Sequence, residues 1–367
     1  MLLGVILLLW IIGGNYREKF QLIRRHPLAI ASLVLFGLYV LGLFYGKPSV
    51  RVVFDVSHFL LLALFIPLFG NARMKQHAML GFSAAVIILL TLSYLLWLDL
   101  LPRIAILNIN EGNVVIQDRI TYGVFVAVAA YFWVVEAYFS ESRPKRIVLL
   151  ILAALAVFNL LARVNSMTAY VVLPTLFGYF LIRQWRWKGA VAIFLAIALL
   201  AALTYGLPTT PLHQRISGAF KEFRQWQPDK AEQTNVGVRL EFYDNSLKIV
   251  HDHPFFGVGI GGFQEAYIKQ IKDSRMALSD NPHNEYLLVA TQLGLIGLAA
   301  LLYLFYTQWR LAPLLPTPRD TIMARGVVLA FMVGCLVNSF LTDYDEGVFF
   351  IWISALLFSS WNPLEKQ

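Results

Sequence analysis

Charge is scarce in this chain. Of its 367 residues, 14% are Asp, Glu, Lys or Arg, 58% are hydrophobic, and the mean hydropathy is +0.64. A soluble domain carries about 25% charged residues, so there is too little charge here to cover a soluble surface of this size. Cysteine is nearly absent: Cys335 stands alone and cannot close an intrachain bridge, which excludes a disulfide-stapled secreted module. The low hydrophobicity that marks disorder is missing, as is any repeat of fixed period. What is present in abundance is apolar sequence, and it reads as a polytopic membrane protein.

A spanning helix needs roughly 20 mostly apolar residues. Such runs occur at about 1–14, 27–45, 52–70, 78–101, 120–139, 147–163, 167–183, 189–207, 285–306, 322–341 and 347–361, which predicts eleven spans. In lipid each must be a helix, because backbone groups there have to be satisfied within the segment. The first run has no basic flank and no small-residue cleavage site, so it reads as a helix and not as a signal peptide.

Lysine and arginine orient the spans. One set of loops holds sixteen of the 30, among them Arg17, Arg24, Arg25, Lys75, Arg143, Lys188, Arg310 and Arg319. The short loops of the other set hold five: Lys47, Arg51, Arg103, Arg119 and Arg163. The first set is therefore expected in the cytoplasm, with the N-terminus outside. The net charge of +8 is then topological, and a nucleic-acid partner is not expected.

Three regions follow: residues 1–207 with eight spans, a long external segment 208–284, and residues 285–367 with three more. The external segment is polar and near neutral, and chemistry at an aqueous face is expected there. Ile216, Phe220, Phe223 and Trp226 fall on one helical stripe, as in a helix lying on a membrane surface. Val236, Leu240, Tyr243, Leu247 and Val250 recur at helical spacing and predict a second helix, stopped by Pro254.

The most informative string is NPHNEYLLVATQLGLIGL, residues 281–298. Asn281 can cap a helix and Pro282 suits its first position, which would put His283 in the first turn, at the outer mouth of a membrane helix. On that helix His283 would share a face with Ala290, Gly294 and Gly297, small residues that admit a neighbouring helix. A helix N-terminus favours neutral imidazole, the form able to accept a proton. The competing reading is an interfacial polar residue beside a cap. Arg239, on the flank of the external stripe, has the geometry for bidentate phosphate contacts, or is an ordinary solvated arginine. Arg163, at a short external turn, runs against the charge bias, or snorkels to the headgroups.

Other signals are weaker. GVGIGG at 257–262 follows a helix and has no strand before it, so it reads as a turn and not as a nucleotide fingerprint. Asp55, His58 and Glu136 are scattered, a poor basis for a proton relay. His251 and His253 lack a third partner for a metal.

The spacing His283–Asn284, nine residues, Gly294, two residues, Gly297 resembles the signature of the O-antigen ligases and their relatives, the O-antigen polymerases and O-oligosaccharyltransferases. The run VGVRLEFYDNSLKIVHDHPFFGVGIGGF resembles the block that precedes it in that family, and the likeness is specific over roughly 160–300. It implies an all-α integral membrane protein of GT-C-like architecture with about twelve helices, the first of which would be missing here. It implies a metal-independent, cofactor-free glycosyltransferase in the bacterial inner membrane, with its site facing the periplasm. The donor would be a glycan on undecaprenyl pyrophosphate and the acceptor a sugar hydroxyl of lipid A–core. By the same resemblance His283 would be the base, supported by Asn284, and Arg239 would hold the pyrophosphate. Met167 occupies the place of a family arginine, and Arg163 lies four residues earlier to supply that charge. An O-antigen polymerase uses the same donor; a lipid-linked glycan transporter would want ionisable residues at mid-membrane.

Overall fold

The computed structural model describes residues 8, 10–47, 50–102, 109–110, 114–115, 118–164, 166–206, 211–227, 234–271 and 278–361. Among the described residues the fold is all-helical apart from one pair of two-residue strands, β1 (Ile109–Asn110) and β2 (Val114–Val115), antiparallel with Ile109 opposite Val115. The helices are α1 (Tyr16–Arg25), α2 (Pro27–Leu43), α3 (Val50–Phe65), α4 (Ala72–Trp97), α5 (Arg119–Phe139), α6 (Arg143–Asn159), α7 (Met167–Trp185) and α8 (Trp187–Gly206). There follow α9 (Pro211–Gln225), α10 (Asn235–Asp252), α11 (Phe263–Gln270), α12 (Glu285–Leu311), α13 (Pro318–Gly334) and α14 (Tyr344–Phe358).

Each expected span after the first overlaps a helix. The first falls mostly outside the described residues. Among the described residues, four helical stretches are long and apolar enough to cross a membrane: Ala72–Trp97, Arg119–Phe139, Arg143–Val164 and Glu285–Leu314. The pair α1 and α2, bent by 82° where Pro27 bars His26 from helical geometry, makes a fifth if counted as one.

Burial sorts the helices. In α5, Val126, Ala127, Val128, Ala129, Ala130 and Tyr131 are all fully buried, because the short side chains let α6, α7 and α13 approach closely. In α8 the opposite holds: Phe194, Leu195, Ile197 and Leu199 are all exposed, Phe194 at 70%. A row of large apolar side chains facing outward suits lipid and not water. The chain is a membrane protein by this surface as well as by its composition.

Two sequence expectations fail near the external segment. The run 322–341 is not one span: α13 stops at Gly334, and residues 335–343 turn back as a loop. The predicted stripe of α10 is also not its buried face. Leu247 is 57% exposed, while Glu241, Phe242, Asn245, Ser246 and Ile249 are buried. The polar members tolerate this partly by bonding within the helix: Asn245 donates to the Glu241 carbonyl at 2.9 Å and Ser246 to the Phe242 carbonyl at 2.6 Å. On α9, Phe220 and Phe223 stay exposed on one side, as a surface-lying helix requires; the side chain of Ile216 lies outside the described residues.

Helix α12 is broken at Gly294, whose φ of 69° and ψ of −168° belong to glycine alone. The break frees backbone groups, and the glycine turn takes them up. Val258 and Gly259 donate to the Thr291 and Gln292 carbonyls at 2.8 and 2.9 Å, and Leu295 donates to Pro254 O at 2.7 Å. The turn also reaches α2, with Ile260 N on Gly42 O at 3.1 Å and Lys47 N on Ile260 O at 2.8 Å. A loop, and not the helix expected from the small residues, therefore packs against Gly294.

A Cβ at Gly294 would run into the Phe255 carbonyl, whereas one at Gly81 would meet nothing within 4 Å. Gly294→Ala is expected to destabilise the protein by about 1–3 kcal/mol from the backbone strain, with the clash added. Gly81→Ala is expected to be neutral or slightly stabilising. Thermal unfolding of the detergent-solubilised protein checks the pair.

Candidate functional site

His283 is not in the first turn of α12. The N-cap is Asn284, whose Oδ1 accepts from Leu287 N at 3.0 Å, and His283 precedes it with φ of +53°. Asn281 caps the histidine itself: its Oδ1 accepts from His283 N at 2.8 Å and from Ser339 Oγ at 2.6 Å. The local turn thus lifts His283 out of helical phase, so it shares no helix face with Ala290, Gly294 and Gly297. A left-handed non-glycine residue is a sparsely populated conformation, held here by the bonds around it.

The imidazole packs against Phe242 on α10, with ring centroids 6.0 Å apart, and its Nδ1 faces Asn338 Oδ1 at 3.3 Å. Asn338 is 4% exposed. Burial pushes the His283 pKa below the ordinary 6.5; the bond to Asn338 opposes this, Arg239 nearby adds to the lowering, and Asp280 opposes it. Neutral imidazole is favoured by desolvation first, and not by the helix N-terminus that the sequence suggested.

Arg239 stands beside His283. Its Nη1 donates to the Val337 carbonyl at 3.1 Å, one residue before Asn338. One turn on, the Tyr243 hydroxyl lies between the His283 carbonyl, at 3.3 Å, and the Leu336 carbonyl, at 3.1 Å. Burial pushes the tyrosine pKa up, against the pull of Arg239 and Asn284. The Asn284 amide donates to the same Leu336 carbonyl at 3.0 Å. Helix α10, the mouth of α12 and the loop 335–342 therefore meet at His283.

Arg163 is elsewhere. Helix α6 ends in a π-turn, Leu160–Val164, and the Arg163 guanidinium lies 4.5 Å from the centre of the Trp97 ring. Its Nε is buried without a hydrogen-bond partner among the described residues, and no described contact joins it to His283 or Arg239. The side chain of Met167 lies outside the described residues, as does that of Asp55. Ser166 caps α7 by accepting from Ala169 N at 3.4 Å.

The weaker candidates resolve into structure. Glu136 pairs with Arg319 at 3.0 Å and Lys145 at 3.6 Å. His58 is buried against Phe59 and the backbone at Gly347. His251 is exposed beside Asp252, and among the described residues no three His, Cys, Asp or Glu side chains gather as a metal site. The glycine run is a turn, with Gly257, Gly259 and Gly261 at positive φ.

Sequence reasoning missed Asn338 and its loop, because hydropathy absorbed them into a span. The signal that could have found them is Asn338, Ser339, Thr342 and Asp343, four polar residues crowded at the end of an apolar run.

Asn284→Ala removes both the cap of α12 and a donor to the loop. It is expected to cost about 1–2 kcal/mol of stability and to speed hydrogen exchange at the amides of 335–341, read by thermal unfolding and by exchange mass spectrometry.

The comparisons bear on this geometry. Residues 148–302 match the family described as O-Antigen ligase, a stretch that holds Arg163, Arg239, His283 and Asn284. A protein of Haemophilus influenzae (strain Rd), described as "Uncharacterized protein", is 25% identical over 295 residues, covering 76% of this chain and 71% of its own length. Over residues 148–302 the chain is similar to the O-antigen ligase family.

Proposed function

We propose that the chain is an O-antigen ligase, a metal-independent inverting glycosyltransferase of the GT-C type. It moves O-antigen glycan from undecaprenyl pyrophosphate to a sugar hydroxyl of lipid A–core at the periplasmic face of the inner membrane. In this reading the eleven spans cross that membrane, and segment 208–284 forms a helical periplasmic lid between residues 1–207 and 285–367. The observation that carries the reading is the juxtaposition of a desolvated His283 with Arg239 at the mouth of α12.

The chemistry follows from the side chains. With Nδ1–H donating to Asn338 Oδ1, Nε2 keeps its lone pair and is free to act as a base. It takes the proton of the acceptor hydroxyl as that oxygen attacks the anomeric carbon. The bond from that carbon to the pyrophosphate breaks, and its electron pair leaves on the pyrophosphate oxygen. Arg239 stabilises the charge gathering there. Arg163 serves as a second cation for the donor at the turn before α7, and Asn284 holds the frame of the histidine. One displacement without a covalent intermediate inverts the anomeric configuration.

The test is transfer of glycan from undecaprenyl pyrophosphate to lipid A–core by the purified chain, with chelator present. Activity is expected to persist in chelator. His283→Ala is expected to lower turnover by on the order of 10²–10⁴ with little loss of donor binding, while Arg239→Ala weakens both. Near-normal turnover of His283→Ala, or abolition by chelator, overturns the scheme. Joining of glycan to glycan in place of transfer to lipid A–core would make the protein a polymerase.

The direction of the His283 shift sets a pH dependence. Because its pKa is below 6.5, more than half of the base is neutral at that pH and more of it above. The rate at limiting substrate is expected to fall along an acid limb centred below 6.5 and to level off above it. A pH–rate profile whose acid limb is centred above 6.5 would contradict this.

A further inference from the structure

We propose that Glu285 is a positioning residue for His283, acting through the loop 335–342 that it closes and through Asn338, which that loop presents. The proposal rests on the reading of His283 as the base.

Glu285 holds both ends of the loop. Its backbone N–H donates to Cys335 O at 2.9 Å, where α13 ends. Its carboxylate Oε2 accepts from Leu341 N at 2.8 Å, Thr342 N at 3.2 Å and Thr342 Oγ1 at 3.3 Å, just before α14 begins. The side chain is fully buried. A fully buried carboxyl is costly unless something requires it, and here it supplies acceptors for two backbone N–H groups that neither flanking helix can satisfy. Between the two anchors, the carbonyls of Leu336 and Val337 point to Asn284, Tyr243 and Arg239. Asn338 is thereby turned toward Nδ1 of the histidine. These hydrogen bonds of Glu285 all go to the loop, so its effect on His283 is transmitted by the loop.

The consequence is chemical as well as mechanical. Asn338 Oδ1 selects the tautomer with hydrogen on Nδ1, which leaves Nε2 as the base. The groups around the imidazole are Arg239, Tyr243 and Phe242 from α10, Asp280 from the preceding turn, and Asn338 from the loop. Of these, Asn338 and Asp280 favour the protonated ring, while burial and Arg239 oppose it. When the loop slackens, the Asn338 bond is lost together with the part of the burial and the Val337 anchor of Arg239 that the loop supplies, so the protonation of the imidazole shifts with the loop.

The experiment compares Glu285→Ala, Asn338→Ala and the double variant by kcat, KM and the pH profile of transfer, on the full chain in detergent. Each single variant is expected to lose on the order of 10- to 100-fold in kcat with donor KM little changed. Asn338→Ala is expected to move the acid limb of the profile to lower pH, and Glu285→Ala to move it as well. The double variant is expected to lose little more than Asn338→Ala alone. Glu285→Gln, which keeps an acceptor oxygen, is expected to recover most of the turnover. An unmoved acid limb in Glu285→Ala, or losses that multiply in the double variant, overturns the proposal. If Glu285→Ala does not accumulate, Glu285→Asp, one methylene too short for both backbone N–H groups, decides by the same two readouts. His283→Ala run alongside separates the failures. If it is inactive while the limb of Glu285→Ala is unmoved, only this inference falls; if it is active, the functional reading falls first.

Discussion

A backbone N–H or C=O buried in an apolar bundle must find a partner, and in this protein that requirement shapes everything around His283. A straight α12 and a full-length α13 would satisfy their own backbones and leave nothing to hold a site. Instead α12 breaks at Gly294 and α13 stops at Gly334. The freed groups at the break are taken up by the glycine turn 257–260, and those after Gly334 by Asn284, Glu285, Tyr243 and Arg239. Each repair ties a segment of the 208–284 region or a distant loop to one helix, so the mouth of α12 becomes a junction of three chain segments.

The same arrangement sets the electrostatics. His283 sits outside the helix in a left-handed turn, where Asn281 holds its backbone N–H and Asn338 faces its ring. Enclosure by Phe242 and the loop strips water from it, which outweighs the opposing bond from Asn338. The neutral ring beside a fixed guanidinium is what a proton acceptor next to an anionic leaving group needs. Farther out, Glu265 on α11 pairs with Lys47 and with Lys269, at 2.9 Å for the latter, and the two ammonium groups pull its pKa down to about 2. These are exposed pairs, and they tie α11 to the turn after α2 more in place than in energy.

Much of this was legible in the residues. Hydropathy located the helices from α2 to α8 and from α12 to α14, because twenty apolar residues in lipid have one way to satisfy their backbone; apolar periodicity located α9 and α10, and the short α11 was not read. The His283–Asn284 spacing and Arg239 pointed to the region where the structure brings them together, and the match over residues 148–302 covers it. The buried face of α10 was not legible: a period of 3.6 counts apolar residues, and Asn245 and Ser246 are buried because they bond to their own helix. Asn338 was not legible because hydropathy averages a loop into the span beside it. Arg163 was singled out as a charge needing a reason, and its neighbour in the structure is an aromatic ring.

The sequence by itself determined the class of the protein, the places of its long apolar helices, the turn at Gly257–Gly262 and the chemical types at the helix mouth. Each of these depends on residues near one another in the chain. The tertiary structure alone decided that His283 precedes the cap, that a loop and not a helix fills the space at Gly294, and that residues 335–342 face the histidine. Those outcomes depend on which distant groups satisfy a freed backbone N–H or carbonyl. His283 and Asn338 are 55 positions apart, and no local pattern records a partner that only the packed bundle can bring within hydrogen-bond reach.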